Sequence, residues 1–326
     1  MQMIVRREEW PLARPFKIAR STMHVARPLV VELRDGVAIG RGECEAHESD
    51  QAAIEAAVRR LESLRPAVES GELTRETLQR RLPARPIRNA LDCAFWDLEA
   101  KRARAPAWRL AGLDAIAPVT TVYTISVDEP DVMAAQAAAA NRLPILKVKL
   151  KGAGDLERVH AVRVAAPDCR LIVDANESWS FEQLLQFAPR LADLGVELIE
   201  QPLPQGRDEA LAGYRSPVPL CADESCLDTA TLPGLVGRYQ FVNIKLDKTG
   251  GLTEALRLER AAGAAGLGIM VGCMVGTSLA MAPAVLLAQR ARFVDLDGPL
   301  LLARDREPGL AYHDGALSPP VPVLWG

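Results

Sequence analysis

Two lysines on alternate positions of an aliphatic run, Leu146-Lys147-Val148-Lys149-Leu150, are the first residues of this chain equipped for chemistry. Residues two apart in a strand point to the same side, so Lys147 and Lys149 share a face. Two ammonium groups held together disfavour each other's charge, which lowers a lysine pKa toward the range of a working base. A lone K-x-K is more simply a solvated edge strand that blocks aggregation. The downstream sequence argues otherwise, because short apolar runs recur and nearly every one ends in a carboxylate or a lysine. They end at Asp174 with Asn176, Glu200, Asp223 with Glu224, Lys245, and lastly Asp295 and Asp297. One such carboxylate alone reads as a helix cap. Three on consecutive strands, facing a common mouth, would repel one another strongly without a divalent cation between them. An all-oxygen set suits Mg²⁺ or Mn²⁺ and not zinc.

The elements that must position these residues follow a repeat. After Pro118 the apolar runs are 119–126, 145–150, 171–174, 198–201, 220–223, 241–246, 269–273 and 293–297. Amphipathic stretches separate them at 132–142, 156–165, 181–194, 209–214, 229–236, 252–265 and 279–291. The repeat is 27 residues from 147 to 174, 26 from 174 to 200, 23 from 200 to 223 and 22 from 223 to 245. A βα unit repeated at this period predicts a parallel barrel, whose strand C-terminal ends face the active site. Eight strands but only seven intervening helices are visible, and the Pro- and Gly-rich tail after Gly298 is expected to run back over the first domain. Lysines on the second and sixth strands would then flank a cation held by the three strands between. A substrate carboxylate on that cation would have a lysine on each face of its α-carbon, so one proton could leave one face and another return to the other.

Residues 1–50 read as antiparallel strands, with 29–33 and 38–43 joined by an Asp35-Gly36 turn. Ser49-Asp50 offers an N-cap to a helix through 52–64. Helices are expected at about 75–82 and 87–104, the second with Ala90, Leu91, Ala94, Phe95 and Leu98 at core spacing. The domains expected are 1–117, an α+β cap; 118–298, the barrel; and 299–326, a returning segment. The fold class is thus α/β, a modified (β/α) barrel with an N-terminal α+β capping domain.

At 326 residues, 49% hydrophobic and a net charge of −3, the composition is that of a globular protein with no electrostatic case for nucleic acid or a membrane surface. No apolar stretch reaches the length of a membrane span, and the start MQMIVRREEW shows no secretory h-region. Six scattered cysteines read as reduced, mostly buried thiols of a cytoplasmic protein.

The series KVKLK, IVDANESW, IEQPLP, CADES and VNIKLDKTGG resembles the enolase superfamily, within the muconate-lactonizing-enzyme group. That superfamily is the known case of a Lys or His base working with Mg²⁺. The resemblance covers essentially the whole chain and implies a capping domain over a (β/α)7β barrel. It implies Asp174, Glu200 and Asp223 as ligands of one Mg²⁺ per subunit, with Mn²⁺ as a substitute. It implies Lys149 and Lys245 as the acid/base pair, Lys147 as the group that polarises the substrate carboxylate and tunes Lys149, and Asn176 and Glu224 as supports behind the ligands. The strand-seven end, GCMVGTS, has no His, which argues against a mandelate-racemase type of base.

Asp295-Leu296-Asp297 on the eighth strand resembles the dipeptide epimerases, where such a pair grips a free α-ammonium. The expected reaction is therefore 1,1-proton transfer at the C-terminal residue of a dipeptide, foremost L-Ala-L-Glu to L-Ala-D-Glu from peptidoglycan. Arg20, in the cap loop 18–24, is the candidate partner for a glutamyl side chain, with Arg27 behind it. Thr124 and Ser126 are candidate substrate contacts, and Met274 and Thr277 candidate shapers of the pocket. Alternatives kept open are an epimerase of hydrophobic or cationic dipeptides, an o-succinylbenzoate synthase, an N-acylamino acid racemase and a cycloisomerase. A Schiff-base lyase would be revealed by borohydride trapping, and a catalytically dead binding protein by loss of Mg²⁺ affinity. A homo-oligomer is expected, with no nucleic-acid or membrane partner.

Overall fold

The computed structural model describes residues 1–45 and 51–326. Strands β1 (Gln2–Arg7), β4 (Pro28–Asp35) and β5 (Ala38–Glu45) form an antiparallel sheet, and β2 (Trp10–Lys17) pairs with β3 (Thr22–Ala26) in a separate ribbon. Asp35 pairs with Ala38 around Gly36-Val37, and Gly36 takes the positive φ of 59° that such a two-residue turn requires. Helices α1 (Gln51–Ser70), α2 (Arg75–Arg81), α3 (Pro86–Ala103) and α4 (Ala107–Leu110) follow. The N-cap expected at Ser49-Asp50 lies outside the described residues.

Helix α3 is the joint between the two halves of the molecule. It is buried almost all the way round, as a helix must be when it is covered on both sides. One face lies on β5, where Cβ atoms at Gly40 and Gly42 would stand 2.2 Å from Ala94 O and 2.1 Å from Ala90 O. The two glycines therefore set how closely helix and sheet approach. The opposite face carries polar residues that hold the barrel. Arg88 donates to Thr249 O and Gly250 O, Asn89 donates to Asp247, and Asp92 accepts the Thr253 N–H at 2.9 Å.

Asp92 is fully buried, and burial pushes its carboxyl up to about 6 against hydrogen bonds from Thr253 and Gln79. A group whose folded pKa exceeds its unfolded one stabilises the fold below the unfolded value and loses that contribution as pH rises through the folded one. Wild type should therefore lose stability relative to Asp92→Asn between about pH 4 and pH 6. The change should be roughly 3 kcal/mol at about 1.4 kcal/mol per unit. Urea melts of both proteins across that range check this, and parallel pH curves would contradict it.

Eight parallel strands follow: β7 (Tyr123–Ile125), β8 (Ile145–Lys149), β9 (Arg170–Asp174), β10 (Val196–Glu200), β11 (Leu220–Ala222), β12 (Phe241–Lys245), β13 (Gly268–Gly272) and β14 (Phe293–Val294), in that spatial order. The expected first strand is split, because β6 (Val119–Thr120) leaves to pair with the tail. The last strand meets the first where Val122 N–H donates to Val294 O at 2.9 Å. A shared interior layer of Val122, Ile145, Ile172, Leu198, Cys221, Met270 and Phe293 fills the barrel below that point.

The outer helices are α5 (Pro130–Ala139), α6 (Asp155–Ala165), α7 (Phe181–Asp193), the short α8 (Leu246–Thr249), α9 (Leu252–Ala264), α10 (Ser278–Met281) and α11 (Ala284–Ala288). Two expected helices are corrected. The stretches 209–214 and 229–236 hold only 3₁₀ turns, at Asp208–Leu211 and Leu232–Gly234. Segments this short cannot offset the cost of nucleation, and Gly213 and Pro233-Gly234 interrupt them further. Pro283 likewise divides 279–291 into α10 and α11.

Among the described residues no α-helix follows β14, and none is long and apolar enough to cross a membrane. The tail pairs β15 (Tyr312–His313) and β16 (Ala316–Leu317) with β6, then returns to the cap. There Trp325 Nε1 donates to Cys93 O at 3.0 Å and Gly326 N to Asp97 Oδ1 at 2.7 Å.

Candidate active site

Strand geometry aims the chemistry. Alternate residues of β8 put Lys147 and Lys149 into the barrel mouth, 1% and 7% exposed. Asp174 ends β9, Glu200 ends β10, Asp223 follows β11 and Lys245 ends β12. Backbone pairing sets Lys149 opposite Asp174 and Asp174 opposite Glu200, so the register delivers the groups side by side. One oxygen from each of Asp174, Glu200 and Asp223 lies within 4.8 Å of the other two, and all three residues are buried. Gln201, at a positive φ of 33°, fixes the spacing: its Oε1 accepts from the backbone N–H of Asp223 (2.9 Å) and Ser225 (3.2 Å).

Each carboxylate is held by cations. Lys149 Nζ donates to Asp174 Oδ2 at 2.6 Å, and Lys245 Nζ to Asp223 Oδ2 at 2.6 Å. Lys147 Nζ lies 2.6 Å from Asp295 Oδ2, 2.7 Å from Glu200 Oε2 and 3.1 Å from Asp174 Oδ2. Asn243 Nδ2 donates to Glu200 Oε1 at 2.7 Å. Lys248, in the short α8 after β12, grips both the side chain and the backbone carbonyl of Asp223.

The charge balance reverses one expectation. Burial works against the Lys147 ammonium, but Asp295, Glu200 and Asp174 outweigh it and hold this lysine well above its ordinary value. Lys245 is raised likewise, with Asp223 and Glu200 overcoming burial. At Lys147, repulsion from its neighbour on β8 is thus the smaller effect. Burial also presses on the acids. It pushes Glu200 up to about 7 with help from Asp174, whereas Lys149 and Lys147 overcome it at Asp174 and pull that carboxyl down to about 2. A divalent cation among the three would hold all of them as carboxylates and offset the pull they exert on the lysines. The donor set, three buried carboxylates with oxygen ligands only, fits Mg²⁺.

A cavity of about 760 Å³ opens above these groups, lined also by Arg20, Arg27, Thr124, Asn176, Glu224, Cys273, Met274, Asp295 and Asp297. Burial and the neighbouring Asp295 push Asp297 up to about 7, and its Oδ2 accepts the Thr124 N–H at 2.7 Å. Asp295 and Asp297 are therefore unequal: the first is tied to Lys147, the second to the backbone of β7. Asn176 N–H donates to Asp174 Oδ1 at 2.9 Å. Burial beside Asp223 pushes Glu224 up to about 8. Arg20 reaches the mouth from the loop between β2 and β3, where it pairs with Glu177 and stands 3.5 Å from Glu224.

One expected contact, Ser126, and one expected shaper of the pocket, Thr277, lie elsewhere. Ser126 does not line the cavity; its Oγ accepts the Lys17 N–H at 3.4 Å, which ties the cap ribbon to the barrel. Thr277 is wholly buried and donates its N–H to Glu43 at 2.8 Å, joining cap to barrel with Arg306. Lys248, Asn243 and Glu177 join the site without a signal in the local sequence. Lys248 stood in the quoted LDKTGG, but nothing local says that a lysine three residues past Lys245 turns back to Asp223.

Comparison with known proteins agrees with this geometry. Residues 1–112 match the model of the mandelate racemase / muconate lactonizing enzyme N-terminal domain, and residues 132–321 match the enolase C-terminal domain-like model. The chain is 47% identical over 312 residues to the L-Ala-D/L-Glu epimerase of Escherichia coli K12, covering 95% of this chain and 97% of that one. It is 52% identical over 245 residues to an N-acetyl-D-glutamate racemase of a Pseudoalteromonas species, covering 75% and 78%. An enolase family member from Agrobacterium tumefaciens with homology to dipeptide epimerases, solved with sodium and L-Ala-L-Glu bound and its loop ordered, superposes with a TM-score of 0.96. It is 46% identical and covers 100% of this chain and 99% of its own. Further similar chains are dipeptide epimerases solved with Mg and a dipeptide.

Proposed function

The chain belongs to the mandelate racemase / muconate lactonizing enzyme family, and from that premise we propose that it is a Mg²⁺-dependent dipeptide epimerase whose foremost substrate is L-Ala-L-Glu. The observation that carries the reading is the buried trio Asp174, Glu200 and Asp223 with Lys149 and Lys245 bonded to its two outer members. The trio would hold one Mg²⁺, which when bound would supply positive charge beside the substrate carboxylate. Lys149 and Lys245 come from strands four apart in an eight-strand order and so face the α-carbon from opposite sides. One, as the free amine, takes the α-proton of the C-terminal residue, and the C–H electrons pass into the carboxylate. The other, as the ammonium, returns a proton to the opposite face, which inverts the centre. Lys147 adds charge beside the carboxylate, and Asn176 and Glu224 stand behind the ligands. Asp297, with Asp295, receives the α-ammonium, Thr124 borders it, and Arg20 faces the side chain.

The test is L-Ala-L-Glu with protein and Mg²⁺ in D₂O, followed by NMR. Loss of the Glu α-proton signal with growth of L-Ala-D-Glu, both stopped by a chelator, is expected. Silence across a dipeptide library would overturn the reading. The similarity to an N-acetyl-D-glutamate racemase favours one rival, racemisation of an N-acylated glutamate. That substrate lacks the α-ammonium that Asp295 and Asp297 suit, so turnover of N-acetylglutamate above the dipeptide would establish the rival instead. A cytoplasmic homo-oligomer recycling peptidoglycan peptides completes the proposal; the six cysteines, all free thiols, suit a reducing compartment.

A further inference from the structure

Every arginine and lysine lining the cavity already faces a carboxylate of the chain. Lys147, Lys149, Lys245 and Lys248 are held by the acids at the strand ends, Arg27 by Glu9 at 2.9 Å, and Arg20 by Glu177. Among the described residues, the mouth around Arg20 therefore offers an acidic side chain no arginine or lysine without a carboxylate of its own. One guanidinium stands there between two acidic side chains, Glu177 and Glu224.

Glu177 is built for that contact. Its side chain is only 11% exposed, and its second oxygen accepts the Gln205 N–H at 2.6 Å. It adopts a φ of 64°, next to Asn176 at 44°, in the left-handed region that glycine would occupy without strain. Its backbone N–H donates to Gln201 O at 2.9 Å, which locks the loop after β9 onto the end of β10. A strained, anchored glutamate aimed at an otherwise exposed arginine is a device, not a solvated surface pair.

Resting on the dipeptide-epimerase reading, we propose that Glu177 is a specificity-determining residue, the chain's own stand-in for the side-chain carboxylate of the substrate. With no acidic substrate at the mouth, Glu177 holds Arg20 over the cavity. An acidic side chain must take Arg20 from it, whereas a neutral side chain need not. The charge of Glu177 thus sets how strongly the enzyme prefers a glutamyl over a glutaminyl residue, and keeps that preference below what Arg20 alone would impose.

The experiment compares kcat and KM for L-Ala-L-Glu and its neutral isostere L-Ala-L-Gln in wild type, Glu177→Gln, Arg20→Met and the double variant. A half-exposed ion pair is worth little, so Glu177→Gln should raise the Glu/Gln ratio of kcat/KM by about two- to five-fold, through a lower KM for L-Ala-L-Glu at unchanged kcat. Arg20→Met should erase the preference and make Glu177→Gln silent, as coupling through one contact demands. A fall in the ratio would overturn the proposal by showing Glu177 to be the support that orients Arg20. An equal change for both dipeptides would overturn it by showing a loop latch indifferent to substrate. If wild type turns over neither dipeptide in the presence of Mg²⁺, the dipeptide reading falls and takes this one with it. If wild type turns them over and the ratio fails to rise, only the inference about Glu177 falls.

Discussion

Epimerisation should fall by about 10²- to 10⁴-fold in Lys149→Ala and in Lys245→Ala, the range general acid–base catalysis supplies, while α-proton exchange survives in each variant for one epimer only. Inversion needs both faces of the α-carbon, because a proton leaves one side and another arrives on the other. Exchange needs one face, since a single lysine can take a proton and give back a deuteron. Lys149 on β8 and Lys245 on β12 are separated by the three strands that carry the carboxylates. Lys149→Ala should therefore exchange only the epimer whose proton points toward Lys245, and Lys245→Ala only the other. L-Ala-L-Glu and L-Ala-D-Glu, each followed by NMR in D₂O with each variant, give the four rates needed. Loss of Mg²⁺ is not the expected cause of any fall, since each substitution removes a cation bonded to a ligand carboxylate and so reduces competition for it. Exchange of both epimers by one variant, or of the same epimer by both, would end the two-face assignment.

What the sequence revealed and what it hid divide along the range of the forces. Strand ends were legible because each apolar run stops at a charged residue, and the barrel sets those ends around one mouth. The shortening of the repeat, from 27 to 22 residues, even carried the news that two outer helices shrink to 3₁₀ turns at Asp208–Leu211 and Leu232–Gly234. The amphipathic look of 209–214 and 229–236 spoke louder. The raised Lys147 was illegible for a different reason. Its neighbour Lys149 lies two residues away, whereas its partner Asp295 lies 148 residues away, and only the folded barrel weighs the second against the first. Ser126 and Thr277 misled in the same way. Their nearness in sequence to the cavity's motifs points to a substrate contact at Ser126 and a pocket wall at Thr277, yet both hydroxyls serve the joint between cap and barrel. The polar face of α3 was hidden by its own apolar stripe: Asn89 and Asp92 lie among Ala90, Leu91 and Ala94, and nothing local announces that a barrel will cover them.

The second large effect is expected at Glu200. Glu200→Gln should weaken Mg²⁺ at least ~100-fold, beyond the 10- to 100-fold typical of groups that only support a ligand, and abolish turnover at ordinary Mg²⁺ concentrations. The two oxygens of Glu200 are both engaged. Oε1 accepts from Asn243 Nδ2 at 2.7 Å, and Oε2 faces Lys147 Nζ at 2.7 Å. Both neighbours donate to the carboxylate as it stands. An amide offers one acceptor and one donor: with its oxygen toward Lys147, its N–H is left to Asn243, which must flip its own amide to accept it, in a site with no exposure to water. The third negative charge of the trio also disappears, leaving Asp174 and Asp223, each still gripped by lysines. Calorimetric Mg²⁺ titration reads the affinity directly, and thermal melts give a second readout free of activity. Mg²⁺ at 100 times its Kd should stabilise wild type by about 2.7 kcal/mol, and the same concentration should barely move Glu200→Gln. A variant that binds Mg²⁺ like wild type would remove Glu200 from the metal site. The metal would then rest on Asp174 and Asp223 alone, and the strand-end logic that joined the three would have failed at its centre.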